Sequence, residues 1–296
     1  MFNLQNNFLK LFAFLSISAF AQLKPIKEVF EPTQTFDPET HGKVAVVQWA
    51  PFADTPLGVT KEKAEAYKQE NREQLEAYIR EAAAKGAELV LTPEFAIVGY
   101  PDIPELPSEE DEFRNREDIE PYVETAPGPS TKYFSKLAKE LKVAIHIGFA
   151  EVEKASDRYF NTVVAIDASG KIVAKYRKIN LYEGENQFLS PGTEPVVYEG
   201  PFGKVGMAIC ADIYSSVPMK SYASKKVNMV ALSTSWAQWN SGMDNFKRAA
   251  RSGSFFVLAS NQRYFPDSGV INPDGTTQSH IRQSNGLAYG FLPYKK

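Results

Sequence analysis

Apolar positions along the chain cluster into short runs of β-formers separated by longer, charge-rich stretches with helical spacing. KVAVVQWA, from Lys43, reads as a strand. A helix follows over about Thr60 to Lys85, with Gly86 where a C-terminal cap belongs. AELVLTPEF is a second strand that stops at Pro93-Glu94, Ser130 to Leu141 a short helix, and VAIHIGFAEV a third strand. FNTVVAID and KIVAKYRK flank Ala168-Ser169-Gly170 as a hairpin. GKVGMAIC, a helix near Pro218 to Lys226, VNMVALST, a helix from about Gly242 to Ser252, and FFVLASN complete the alternation. The remaining C-terminal stretch shows turns at Asn272-Pro273-Asp274-Gly275 and Ser284-Asn285-Gly286. Strands alternating with helices, with one hairpin inserted, predict an α/β fold with helices covering the sheets.

Composition supports a single large domain: 43% of the 296 residues are hydrophobic and 23% charged, enough for a core and a solvated surface. The net charge of −3 comes without any basic run, which argues against nucleic acid as a partner. Residues 101–128 are acidic and proline-containing, a loop long enough to be functional and placed to overhang whatever follows Glu94.

The N-terminus departs from this pattern. Lys10 precedes an apolar stretch from Leu11 to Phe20, and Ala19-Phe20-Ala21 puts small residues where a signal peptidase reads them. The stretch is shorter than the roughly 20 residues that span a bilayer. Residues 1–21 therefore read as a cleaved signal peptide, 22–42 as a linker or wrapping arm, and 43–296 as the functional domain. The expectation is an exported protein, periplasmic or secreted, with no membrane anchor after cleavage.

Export makes Cys210, the one cysteine of the chain, worth explaining, because exported proteins usually carry cysteines in pairs. It ends an apolar strand, and so do two other ionisable residues: Glu94 ends ELVLTPE and Lys178 ends KIVAKYRK. The carboxyl ends of strands are where α/β folds collect reactive groups. A thiol needs a base or cation to act as a nucleophile. A buried glutamate can accept its proton, and a lysine can offset the charge of a tetrahedral intermediate. Together they describe acyl transfer through a thioester.

The stretches LVLTPEFAIVGYP, AKYRKINL and GMAICADI, in this order, resemble the nitrilase or carbon–nitrogen hydrolase superfamily over nearly the whole chain from Lys43. The resemblance implies a four-layer α-β-β-α sandwich, Glu94 as general base, Lys178 as oxyanion stabiliser, Cys210 as nucleophile, and the Ala211 amide completing the oxyanion hole. It also implies a second glutamate after the lysine. Glu185 fits by its distance from Phe188 and Pro191-Gly192, and Glu183 competes. TPEFAIVGY, CADIYSSVP, STSWAQW and FFVLASN look most like the biotinidase and vanin branch. Tyr214-Ser215-Ser216-Val217-Pro218 replaces the Arg-Phe-Pro-Glu usual after the cysteine motif, so a particular substrate does not carry over. The implied partner is a small-molecule amide, with no cofactor and no metal. Many members dimerise through helical faces, although little C-terminal extension is present here to stabilise a dimer.

Tyr100, Trp236 and Trp239 are candidates for the substrate pocket, with plain packing an equal reading for the tryptophans. Asn261 either orients a site group or caps a strand. His41, His146 and His280 share no metal-ligand spacing, and His146 reads as a core residue. Two rival functions remain: a cysteine peptidase, which would need His146, and a non-catalytic binding protein on the same scaffold. A nitrile or N-carbamoyl hydrolase is the alternative within the family. For export, mass spectrometry of protein from the native host is expected to show a chain beginning near Gln22; an intact Met1 on cytoplasmic protein would overturn it.

Overall fold

The computed structural model describes residues 28–101, 113–236, 242–262, 267–282 and 285–295. In chain order, β1 (Glu28–Phe30) and β2 (His41–Gln48) lead into helix α1 (Lys61–Ala84) and β3 (Ala87–Leu91). Helix α2 (Arg116–Ile119) and α3 (Pro129–Leu141) precede β4 (Ala144–Glu153), β5 (Arg158–Ile166) and β6 (Ile172–Arg177). Then come β7 (Val197–Gly200), β8 (Gly203–Ile209), α4 (Ser216–Ser224), β9 (Met229–Thr234) and α5 (Gly242–Gly253). The chain closes with β10 (Phe256–Asn261), β11 (Ser268–Ile271), β12 (Thr277–Ile281) and β13 (Gly286–Pro293).

Local chemistry accounts for the boundaries. The Thr60 side chain accepts the Lys63 N–H and starts α1. Gly86, at φ +84°, takes the left-handed turn that ends it. Inside α1, Ala64, Tyr67, Asn71, Leu75, Tyr78, Ile79 and Ala82 are buried at helical spacing, so one stripe faces the sheet.

Two sheets result, a seven-stranded one in the order β1-β13-β2-β3-β4-β5-β6 and a six-stranded one in the order β12-β11-β10-β9-β8-β7. Strand alternation assigns their faces. Val44, Val46, Leu89 and Leu91 of the first sheet meet Val205, Met229, Ala231 and Leu258 of the second. Ala45, Val47, Val90, Ile145 and Ile147 point the other way, under Leu75 and Ile79 of α1 and Phe134 and Leu137 of α3. Val230, Leu232, Val257 and Ala259 lie under Tyr222 of α4 and Phe246 and Ala250 of α5. The layers are helix, sheet, sheet, helix, as the resemblance implies.

The arm before Lys43 contributes β1, which runs parallel to β13. The C-terminal stretch, legible in sequence only as turns, supplies β11, β12 and β13. β13 pairs antiparallel with β2 from Gly286↔Gln48 to Pro293↔His41, and so sits inside the first sheet. It hides as a strand because it is buried on both faces and broken by Gly290, where a Cβ would come within 2.5 Å of Val270. The described part of the acidic loop folds as α2 and a 3-10 turn over Glu120–Tyr122. Residues 1–21 lie outside the described residues, among which no helix is long and apolar enough to cross a membrane.

Candidate active site

Three strand ends converge at one edge of the sandwich. After β3 the chain runs through Thr92 and Pro93 to Glu94, then turns at Phe95, whose φ is +46°. Gly148 of β4 allows the turn, since a Cβ there would lie 2.6 Å from the Pro93 oxygen. Gln262 Nε2 donates to the Glu94 carbonyl at 2.8 Å, anchoring it from beyond β10 in the other sheet. The buried Glu94 carboxylate accepts from Asn161 Nδ2 at 2.7 Å and Lys178 Nζ at 2.9 Å on Oε1, and from the Ser235 N–H at 2.8 Å on Oε2.

Lys178 follows β6 directly, its N–H donating to the Asn161 oxygen at 2.9 Å. Its buried ammonium bridges two carboxylates, Glu94 at 2.9 Å and Glu185 at 2.7 Å. Glu185 opens a 3-10 turn over Glu185–Gln187 and is itself buried. The Tyr182 N–H donates to its Oε2 at 2.6 Å, and Asn161 Nδ2 reaches its Oε1 at 3.3 Å. Glu183, the competing glutamate, is exposed to solvent.

β8 ends at Ile209, and Cys210 begins a tight 3-10 turn with φ +42°, a backbone conformation that a cysteine rarely adopts. Its thiol donates to the Ser235 oxygen at 3.9 Å, so the residue whose N–H holds Glu94 also faces the sulfur. Ala211 is the next residue of this turn. The turn is held by buried Asp212. Its carboxylate accepts from the Ile209 N–H at 3.0 Å, Tyr176 Oη at 2.7 Å, and Asn180 through both its N–H at 2.9 Å and its Nδ2 at 2.7 Å. Asn180 lies two residues after Lys178, so Asp212 ties the lysine segment to the cysteine turn.

Electrostatics follow from burial against pairing. Burial, helped by the Glu185 charge, raises the Glu94 pKa above the ordinary carboxylate value despite the opposing pull of Lys178. Burial works against the Lys178 ammonium, but Glu185 and Glu94 outweigh it and hold that pKa well above the usual lysine value. Burial, then the Glu94 charge, push the Cys210 thiol up to about 12. The resting cysteine is therefore a neutral thiol, packed beside Glu94 and Lys178.

The other sequence candidates divide. Tyr100 is half-buried against Phe95, with ring centroids 5.7 Å apart. Trp236 is buried, its ring 4.8 Å from Tyr214 and 5.5 Å from Phe246, which makes it core on one side and rim on the other. Trp239 lies outside the described residues. Asn261 Oδ1 accepts the Trp236 and Gln262 N–H groups, which places it as a cap on the two strand ends rather than in the catalytic set. Phe113, from the acidic loop, packs between Phe95 and Phe188, so this part of the loop lies beside both glutamates. His146 is buried between the sheets, bonded to Tyr198 Oη at 2.5 Å, and burial lowers its pKa to about 3. Sequence reasoning passed over Asn161, Asp212, Tyr182 and Tyr214. Asn161 left one readable signal, a lone amide within the apolar run FNTVVAI. The two tyrosines are each 48% exposed at the mouth of the site.

The sequence pattern of the carbon–nitrogen hydrolase family matches residues 43–292, the span that builds both sheets apart from β1, the first residues of β2 and the last of β13. The chain belongs to the carbon–nitrogen hydrolase family. Among curated relatives of this family, dog pantetheinase is 33% identical over 76% of this chain and 49% of its own length. Human omega-amidase NIT2 is 27% identical over 74% of this chain and 82% of its own. The chain spans about half the length of the pantetheinases it matches. Yeast Nit3, of the nitrilase superfamily, superposes with a TM-score of 0.71 at 19% identity, covering 86% of this chain and 90% of that one. An amidase from Nesterenkonia sp. superposes with a TM-score of 0.68 at 20% identity, over 86% and 91%. These are likenesses of fold.

A chain in which Asp212 holds the Cys210 turn should be sensitive there. Asp212→Ala removes the acceptor of four hydrogen bonds. The expected cost is about 3 kcal/mol or more in unfolding free energy by urea titration, with a large loss of Cys210 reactivity. Unchanged stability and reactivity would remove Asp212 from this role.

Proposed function

We propose that the chain is an exported amidohydrolase that cleaves a small linear amide to a carboxylate and ammonia or an amine, through a thioester on Cys210. The observation that carries the reading is the Lys178 ammonium held between Glu94 and Glu185 beside the Cys210 thiol. The family match and the pantetheinase and omega-amidase relatives support amide cleavage. The Leu11–Phe20 stretch supports export.

The chemistry runs on proton order. A thiol this hard to ionise does not rest as thiolate, so Glu94 takes its proton as the sulfur attacks the amide carbon. The carbonyl oxygen becomes an oxyanion, met by the Lys178 ammonium and the Ala211 N–H. Glu94, now protonated, gives its proton to the nitrogen as the carbon–nitrogen bond breaks. The free amine leaves and an acyl thioester remains. Glu94 then takes a proton from water, whose oxygen attacks the thioester; the carbon–sulfur bond breaks, the acid leaves, and Glu94 returns the proton to the sulfur. Glu185 keeps Lys178 charged and aimed while Glu94 cycles between its two forms.

The peptidase reading lacks a base, because His146 is engaged with Tyr198 between the sheets. The binding-protein reading leaves unexplained why three buried ionisable groups and a strained thiol are kept together, at a cost in stability.

The test is turnover of a panel comprising pantetheine, terminal ω-amides, simple aliphatic amides and nitriles, with intact-protein mass spectrometry after acid quenching. An acyl adduct is expected on the wild-type chain and none on Cys210→Ala, which should be inactive. Glu94→Gln and Lys178→Met should each lose several orders of magnitude in kcat/KM, with a double variant far from additive. His146→Gln should stay active. Amide turnover by protein whose Cys210 has been alkylated would overturn the covalent mechanism.

A further inference from the structure

We propose that Asn161 is a positioning residue that fixes Glu94 and Glu185 about Lys178 and keeps Glu94 in its proton-accepting form. The proposal rests on the reading of Glu94 as the base and adds a residue to that machinery.

One residue reaches every charged member of the set. Asn161 lies in β5, paired with Ala150 of β4, and is fully buried. Its Nδ2 donates to Glu94 Oε1 at 2.7 Å and to Glu185 Oε1 at 3.3 Å, and its backbone oxygen accepts the Lys178 N–H at 2.9 Å. Lys178 supplies one ion pair to each glutamate, and the Ser235 and Tyr182 N–H groups satisfy one oxygen of each. The amide of Asn161 joins the two remaining oxygens. It cannot be turned over, because its own oxygen would then face two carboxylates.

The other end of the side chain is informative. Asn161 Oδ1 is buried with no hydrogen-bond partner among the described residues. A buried, unsatisfied carbonyl destabilises the fold, so a purely structural position would favour an apolar residue of similar size. The donor end accounts for an amide here.

Charge balance supplies the consequence. Glu94 faces Lys178 from the end of β6, Glu185 from the following 3-10 turn, and Cys210 from the end of β8. Two carboxylates against one ammonium leave the cluster one negative charge in excess. Both N–H donors of Asn161 are spent on spreading that excess. Without them the repulsion is relieved by protonating one carboxylate, and Glu94 is the one burial already disposes to accept. The base would then be ionised only at higher pH. Since ionised Glu94 is the active form, loss of Asn161 moves the acid limb of Cys210 reactivity upward. A hydrogen bond to a charged group corresponds to a shift of about one pH unit, or tenfold in rate below the limb.

The experiment needs no substrate. Cys210 is the only thiol, so alkylation of the full chain by iodoacetamide, followed by intact mass, reports it alone. Rates are measured across pH for wild type, Glu94→Gln, Asn161→Ala and Asn161→Asp, with thermal melts alongside. The expected result is a limb in wild type that Glu94→Gln abolishes. In Asn161→Ala it should lie about one unit higher, tenfold slower below the limb and equal to wild type above it. Asn161→Asp has the same size and shape and adds a third carboxylate, so its limb should lie higher still; it decides the matter if the alanine protein melts early. A limb lost in Glu94→Gln but unmoved in the Asn161 variants, including a uniform slowing at all pH, would overturn the proposal alone. A wild-type limb in Glu94→Gln would overturn the base assignment and the proposal with it.

Discussion

The Lys178 ammonium, enclosed between two buried carboxylates, is the constraint around which this end of the molecule is organised. Removing three charges from water costs several kcal/mol per ion, and their attraction offsets that only if every remaining polar atom is satisfied. The fold supplies part of that satisfaction from backbone. The Ser235 and Tyr182 N–H groups serve the glutamates, and the lysine is placed by its own N–H on Asn161. Because Ser235 belongs to the second sheet and Glu94 to the first, the cluster closes only when the two sheets are in register.

That register is fixed by a polar seam along the same edge. Ser233 Oγ donates to the Thr92 oxygen at 2.8 Å, Ser260 Oγ to the Val47 oxygen at 2.5 Å, and Gln262 Nε2 to the Glu94 oxygen at 2.8 Å. The Ser268 N–H reaches Gln48 Oε1 at 3.0 Å. Apolar side chains between sheets tolerate small sliding, but short directional bonds do not. The seam therefore turns a general sandwich into a scaffold that holds Cys210 of one sheet against Glu94 of the other. It also holds two left-handed residues, Phe95 and Cys210, each of which costs on the order of 1 kcal/mol or more and persists only where its surroundings over-determine it.

How much of this was legible in the sequence depends on the kind of signal. Strands such as KVAVVQWA and VNMVALST announce themselves as short apolar runs and the helix before Gly86 by its length and cap, and the ends of ELVLTPE, KIVAKYRK and KVGMAIC bring Glu94, Lys178 and Cys210 forward. β13 does not, since GLAYGFLP breaks its apolar run with Gly290 and Pro293. The choice between Glu185 and Glu183 was open in sequence because both lie within reach of the lysine along the chain. Only the turn at Gly184, φ +94°, decides which side chain points inward. Asn161 and Asp212 are polar residues in apolar contexts, a visible anomaly whose partners are 67 and 36 positions away and so invisible locally.

The same constraint limits what the thiol can do. A cysteine pushed up to about 12 is a poor freestanding nucleophile and a poor redox thiol, because both uses need resident thiolate. In the proposed mechanism an adjacent group removes its proton during attack, and Glu94 is the group given that role. In that proposal Lys178, Asn161 and Ser235 hold the ionised form of Glu94, while burial, by raising its pKa above that of a free carboxylate, makes it a stronger base toward the thiol. A carboxylate held more firmly ionised would be too weak a base to take the thiol proton; one held less firmly would already carry a proton and could accept none. On this proposal the enclosure of the charges, by excluding water and opposing burial to pairing, sets the base strength of Glu94.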